Sequence, residues 1–85
     1  MSSKYDRFGA YLSKLPETER QLTFSFEKFE EIVEFKLPAS AYTYQAWWAF
    51  EQEPKTHPQK KVLQAAGWRV RTVDFTRKLV YFERY

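Results

Sequence analysis

The stretch that decides the fold is residues 57–73, HPQKKVLQAAGWRVRTV. Pro58 suits the first position of a helix, with His57 as the N-cap, because proline has no N–H to leave unpaired there and its φ is already helical. Gly67 suits the left-handed residue that ends a helix. Residues 68–73 then alternate in a way that favours a strand. The stretch therefore predicts a short helix, extending to residue 66, followed directly by a strand.

The residues after this stretch complete a hairpin. Leu79 to Phe82 is rich in β-forming residues, and Asp74 to Lys78 carries the chain between the two strands.

Two amphipathic helices and a short strand precede the stretch. Tyr5 to Leu15 carries apolar residues at helical spacing and is closed by Pro16, and Gln21 to Phe24 alternates like a small strand. Ser25 has the chemistry of an N-cap, so a second helix is expected from there to about Phe35. Its polar side is interpreted as a solvated acidic face, formed by Glu27, Glu30, Glu31 and Glu34.

The segment between the second and third helices is the hardest to assign. Leu37 to Ala41 is expected to be a tight connection with room for one helical turn, because Pro38 disfavours helical geometry only at the residue before it. The aromatic run from Tyr42 to Phe50 fits neither period, and a short strand, a helix or an extended segment over the core all stay open. Of the adjacent Trp47 and Trp48, one is expected to be partly exposed.

The resulting element order predicts the fold class. Helix, short strand, helix, aromatic segment, helix and hairpin form an α+β, winged-helix-like domain: three helices with a short strand and a C-terminal β-hairpin. At 85 residues the chain is expected to be a single domain, residues 1–85, with large rings in its core because aromatic residues make up 20% of it.

The composition argues against catalysis and metal binding. The chain has no cysteine and one histidine, and its two glycines lie too far apart for a phosphate-binding loop. We therefore expect no enzyme activity, no catalytic residues, no metal and no cofactor, and no small-molecule substrate is evident. No apolar run approaches the length of a membrane helix, so we expect no membrane contact and a cytoplasmic location.

The charge of the chain is polarised along the sequence. Residues 1–54 hold six basic and nine acidic groups, whereas residues 55–85 hold eight basic and two acidic groups. A basic face of this kind can attract a polyanion, although a solvated surface without a partner is an equal interpretation.

The predicted partner is nucleic acid, in particular duplex DNA. On the third helix, the outward side has side chains suited to a major groove or to phosphate, with Gln59 turned inward as a buried hydrogen-bonding residue. The basic hairpin adds phosphate contacts at its tip, where simple solubility is the competing explanation. The predicted nucleic-acid-binding residues are His57, Lys60, Lys61, Gln64, Arg69, Arg71, Arg77 and Lys78.

The alternative is a protein-interaction or inhibitor module of a bacterial or mobile-element system. It would use the acidic helix from Ser25 to Phe35 together with exposed aromatic side chains to bind a protein partner.

The chain also resembles a family of small bacterial domains of unknown function along nearly its whole length. The pattern is LP-x-SA, WW, H-x-Q and GW-x-V, found here at residues 37–41, 47–48, 57–59 and 67–70. In that family the tryptophan pair is typically followed by Ala-Asn, whereas this chain has Ala49-Phe50 and a longer loop before His57. The resemblance implies a real folding unit and no particular activity.

Overall fold

The fold is described by a computed structural model that covers residues 4–49 and 58–85. It is a mixed α+β structure, as predicted, with helices and a three-stranded antiparallel sheet. In chain order the elements are α1 (Asp6–Ser13), β1 (Gln21–Ser25), α2 (Phe26–Val33), α3 (Ala39–Thr43), α4 (Gln45–Trp48), α5 (Pro58–Ala65), β2 (Trp68–Asp74) and β3 (Leu79–Arg84).

The sheet has the strand order β1-β3-β2, so the last strand lies in the centre. The predicted hairpin of β2 and β3 is confirmed, and the small first strand pairs with β3 through Phe24 opposite Val80. A bulge interrupts β2 between Val70 and Thr72 and leaves Arg71 without a direct partner on β3. Such bulges bend an edge strand and re-aim its side chains.

One aromatic core fills the space between the sheet and the helices. Phe8 of α1 lies between α2 and the sheet, with its ring centroid 4.4 Å from Phe29 and 5.4 Å from Phe82. Trp48 closes the other side of α2, where it stacks on Phe26 at 5.3 Å. Rings of this size each bury roughly 150–250 Å², which is how a short chain obtains a sufficient core.

Local signals set both ends of α2. Ser25 is the N-cap, as predicted, because its hydroxyl accepts a hydrogen bond from the Lys28 N–H at 2.9 Å. The helix ends at Val33 rather than near Phe35, since Glu34 adopts a left-handed conformation with φ 64°. A residue with a Cβ is strained in that region, where glycine is not.

Two short helices follow α2: α3 begins in the expected connection at Ala39 and ends in the aromatic run at Thr43, and α4 lies within the run. They are separated at Tyr44, whose backbone is extended with φ −113° and ψ 124°. The Trp48 indole N–H donates to the Ala41 carbonyl at 2.7 Å and ties the two helices together. Trp48 is buried and Trp47 half-buried, which confirms that one of the pair is partly exposed. Phe50, the end of the predicted run, lies outside the described residues.

Helices α1 and α5 pack closely because α1 has a glycine at their contact. A Cβ placed on Gly9 would lie 2.8 Å from Cγ1 of Val62 on α5, closer than carbon atoms approach one another. At the other end of α5, Gly67 has φ 83°, so its predicted role as the left-handed residue after the helix is confirmed.

The expected solvated acidic face of α2 is wrong at Glu30. This side chain is buried, whereas Glu27, Glu31 and Glu34 are exposed. Its Oε2 atom accepts hydrogen bonds from the Leu37 N–H and the Tyr42 hydroxyl, both at 2.8 Å. The connection after α2 and the following helix α3 fold back over this part of α2, and Glu30 accepts hydrogen bonds from both of them.

Candidate nucleic-acid interface

The tip of the β2–β3 hairpin is held against the start of α2. Residues 75–78 join the two strands, and the Arg77 N–H donates to Oδ1 of Asp74 at 3.0 Å within this turn. The Lys78 carbonyl accepts from the N–H of Phe26, the first residue of α2, at 2.9 Å. The tip is therefore fixed in position, while the side chains of Arg77 and Lys78 remain exposed.

A cleft of about 370 Å³, here called the tip cleft, separates the hairpin tip from the connection that follows α2. Arg77 and Lys78 lie on the hairpin side, and the opposite side is formed by Lys36 of the connection and Tyr42 of α3. The remaining lining residues belong to the start and first turns of α2: Ser25, Phe26, Glu27 and Glu30. Three cationic side chains from two distant parts of the sequence thus face one concave space.

Two cationic side chains of the tip cleft, those of Lys36 and Arg77, are exposed and only weakly paired. Lys36 is 91% exposed, and its Nζ lies 3.9 Å from Oε1 of Glu30. The Arg77 side chain is 75% exposed, with its Nε 3.8 Å from Oδ2 of Asp74. Because both cationic side chains are exposed and both distances are long for an ion pair, the two cations can turn towards another anion at low cost.

Tyr42 forms part of the cleft wall as a neutral side chain. Burial, together with the hydrogen bond to Glu30, raises the pKa of Tyr42 to about 12. The ring also lies 5.9 Å from the Nζ of Lys78, within cation–π distance. The Lys78 ammonium is therefore directed across the cleft rather than away from it.

Helix α5 presents less of the predicted interface than its sequence indicates. Lys60 is among the predicted binding residues, but it is only 7% exposed and so does not lie on the outward side of the helix. With Gln64 and Arg69 it lines a cavity of about 10 Å³ beside Trp48 and Trp68. A lysine can bury the apolar part of its side chain against aromatic rings such as these. A helical-wheel projection of α5 alone does not include Trp48 and Trp68, which belong to other elements.

The remaining predicted residues of α5 divide between the surface and the interior. Lys61 is exposed and Gln64 is half-buried. Gln59 is buried and donates from Nε2 to the Trp47 carbonyl at 3.2 Å, which confirms its predicted role inside the domain. His57 lies outside the described residues.

The cavity beside Trp68 has room for one water-sized group. The Trp68 indole N–H is buried and has no acceptor in the part of the chain that the structure describes. A cavity of about 10–15 Å³ can hold a single water, which would supply that acceptor. This space is too small for a base or a phosphate group.

The arginines of the sheet have partners within the protein. Arg69 pairs with Glu83 at 3.1 Å, and the guanidinium of Arg71 lies 5.7 Å from the ring centroid of Tyr81. Both contacts are with β3 residues that alternate with the buried Val80 and Phe82. The Arg69 and Arg71 side chains therefore have their contacts on the sheet face turned away from the core, and neither residue lines the tip cleft.

Lys36 lines the tip cleft but is not among the binding residues predicted from the sequence. Lys36 lies in the acidic part of the sequence, and the nearby Pro38 gives information only about backbone geometry. No local sequence pattern links Lys36 to the hairpin. The structure brings it together with Arg77 and Lys78 because the hairpin tip docks on the start of α2. The other predicted residues that the structure describes are distributed over α5 and the outer sheet face.

Comparison with known proteins identifies the domain only at the level of a family. The profile of a family described as a domain of unknown function, DUF7662, matches residues 5–85. No curated protein and no solved structure matches the chain.

Two further classes of feature are absent from residues 4–49 and 58–85. No helix there is both long and apolar enough to cross a membrane. Those residues also contain no group of three or more histidines, cysteines, aspartates or glutamates that could hold a metal ion.

Proposed function

The chain belongs to this DUF7662 family of domains of unknown function, and from its own geometry we propose that it binds nucleic acid, duplex DNA in particular, through the hairpin tip. The observation that carries the proposal is the convergence of Lys36, Arg77 and Lys78 on the tip cleft. Lysine and arginine contacts to phosphate supply most of the sequence-independent affinity for DNA.

The connectivity of the domain supports a winged-helix-like interpretation. Helix α1, strand β1, helices α2 and α5, and the hairpin follow one another in the winged-helix order, with α3 and α4 inserted between α2 and α5. In this interpretation the terminal hairpin of the small sheet, with strand order β1-β3-β2, is the wing, and its tip is held against the start of α2. In this arrangement Arg77 and Lys78 occupy the wing tip and α5 the place of the recognition helix.

Within this proposal, phosphate contacts dominate over base contacts. Lys61 is the exposed cation of α5 and Gln64 is half-buried, so Lys61 is the better placed of the two for groove contacts. Lys60 is buried, and Arg69 is paired with Glu83. We therefore expect measurable affinity for random duplexes and only modest discrimination between sequences.

The test is binding of a fluorescently labelled random duplex, measured by anisotropy at several salt concentrations. Three phosphate contacts, from Lys36, Arg77 and Lys78, predict a log-log slope of about −2.7, because each neutralised phosphate contributes about −0.9. Arg77→Gln should weaken binding to all sequences alike and reduce the slope by about one. Lys14→Gln removes an exposed cation that does not line the tip cleft, so it should leave the slope nearly unchanged.

Absence of binding at low salt would overturn the proposal. Equal reductions of the slope by Arg77→Gln and Lys14→Gln would overturn it too, since the contacts would then be distributed over the surface. The protein-interaction alternative would then take its place. Its surface is the acidic side of α2 formed by Glu27, Glu31 and Glu34, beside the half-buried Phe35.

A further inference from the structure

We infer that the tip cleft binds a terminal phosphate, the monoester at the end of a nucleic-acid strand, in preference to an internal phosphodiester. The inference rests on the proposed function and makes it more specific, because it names the chemical group that enters the cleft.

The shape of the tip cleft favours a group that protrudes. It is a concave space of about 370 Å³, with Arg77 and Lys78 on one side and Lys36 and Tyr42 on the other. An internal phosphodiester of a duplex is flanked by sugars on both sides and belongs to a stiff rod, so it meets a surface more readily than it enters a cleft. A terminal phosphate has a free side. The volume lies at the lower end of small-molecule pockets, roughly 300–1,000 Å³, and leaves room for part of the attached nucleoside.

The net positive charge of the cleft attracts a dianion more strongly than a monoanion. A phosphate monoester carries about −1.5 to −2 charges at pH 7, whereas a diester carries one. Two carboxylates also line the cleft, Glu27 and Glu30, and they oppose any anion. Glu30 is already engaged by the Leu37 N–H and the Tyr42 hydroxyl. Three cations therefore outnumber the two carboxylates and leave an excess of positive charge.

The donors for the phosphate are side chains rather than the start of α2. The N–H of Phe26 donates to the Lys78 carbonyl, and the N–H of Lys28 donates to the Ser25 hydroxyl. These amide groups of the first turn are occupied within the protein. The ammonium and guanidinium groups around the cleft supply the charge-assisted hydrogen bonds that a terminal phosphate needs.

The backbone of Lys78 gives a further reason to assign its side chain a binding role. Its φ of 56° lies in the left-handed region, which suits glycine better than lysine. Strained residues of this kind cluster at functional sites. Lys78 directs its ammonium towards the Tyr42 ring across the cleft, so the strained residue is also one of the three cations.

The experiment compares one duplex sequence with four kinds of ends, using the full chain: 5′-phosphate, 3′-phosphate, hydroxyl at both ends, and a closed circle without ends. We expect about tenfold tighter binding of a phosphorylated duplex than of the hydroxyl-ended one, since one well-placed charge-assisted hydrogen bond is of this order. The two phosphorylated duplexes distinguish which strand end is recognised. Lys36→Gln should abolish the preference, and the exposed Lys14→Gln should retain it.

Two glycine substitutions separate loss of binding from loss of fold. Lys78→Gly should raise the melting temperature, because it relieves the left-handed backbone, and should abolish the preference for phosphorylated ends. Glu34→Gly relieves a second left-handed residue, which lies at the end of α2, and it should raise the melting temperature while the preference remains.

The outcomes distinguish this inference from the proposed function. Equal, salt-dependent binding of all four DNAs overturns the terminal-phosphate site and leaves nucleic-acid binding in place. Binding of none of them overturns both. A preference that survives both Lys36→Gln and Lys78→Gly overturns the assignment of the site to the tip cleft.

Discussion

Glu30 and Glu31 are neighbours of the same chemistry, and the structure predicts opposite consequences for removing them. Glu31 is exposed on α2, whereas Glu30 is 9% exposed and accepts hydrogen bonds from the Leu37 N–H and the Tyr42 hydroxyl. Glu30→Ala leaves the buried Leu37 N–H without an acceptor, which costs about 1–3 kcal/mol. It also removes the hydrogen bond from the Tyr42 hydroxyl to the charged carboxylate, which contributes about 1.5–3 kcal/mol. The half-buried Tyr42 hydroxyl recovers part of this from water.

The expected loss for Glu30→Ala is therefore about 2–5 kcal/mol in the free energy of unfolding. For a domain of this size, the melting temperature should fall by about 4–8 °C per kcal/mol. Glu31→Ala should change the free energy by less than about 0.5 kcal/mol. Urea unfolding followed by tryptophan fluorescence measures both variants.

A double-mutant cycle with Tyr42→Phe tests the assigned hydrogen bond itself. If the bond exists, Glu30→Ala and Tyr42→Phe together should cost less than the sum of the single changes, with a coupling of about 0.5–3 kcal/mol. Equal losses for Glu30→Ala and Glu31→Ala would refute the reasoning, because burial and partners would then have no measurable effect.

For two further changes, the structure predicts whether the folded state is stabilised or destabilised. Gly9→Ala should destabilise the protein, because the clash of the added Cβ with Val62 costs about 1–3 kcal/mol and the gain in helix propensity is only about 1 kcal/mol. In a Val62→Ala background, where the clash is absent, Gly9→Ala should stabilise the protein, and thermal melts of the parent, the two single variants and the double variant test this reversal. Raising the pH from 10.0 to about 12 should lower the free energy of unfolding, because the pKa of Tyr42 is higher in the folded protein than in the unfolded chain. The stabilisation that comes from this pKa difference is fully present below pH 10 and is lost as the pH approaches 12. The fall over this window should be smaller in Tyr42→Phe, and a fall of equal size would contradict the assigned shift.

Short-range signals in the sequence predicted the positions where the backbone changes course. Ser25, Pro58 and Gly67 each act on hydrogen bonds or φ within one helical turn, and the structure places all three as expected. The run from Tyr42 to Phe50 gave no clear period because the described part contains two helices with an extended residue between them. Each of these helices is too short for a pattern of 3.6 residues to repeat.

The side-chain errors have a common physical origin. Charge alone favours an outward position for Glu30 and Lys60, and both are buried by segments that lie beyond their own helix. Glu30 is covered by the connection after α2, and Lys60 lines a cavity with Trp48 and Trp68. The tip cleft could not be predicted for the same reason, since Lys36 meets the hairpin tip only through tertiary packing.

The position of β3 in the middle of the sheet also constrains how the protein is made. Strands β1 and β2 both leave the ribosome before β3, and each pairs with β3 rather than with the other. Until β3 emerges, both strands expose unpaired backbone groups that could pair with other chains. Arg84, at the end of β3, then joins the last strand to the early part of the chain by donating to the carbonyls of Glu19 at 2.7 Å and Pro16 at 3.1 Å. The sheet therefore forms only once β3 is available, because β1 and β2 each pair with β3 and not with one another.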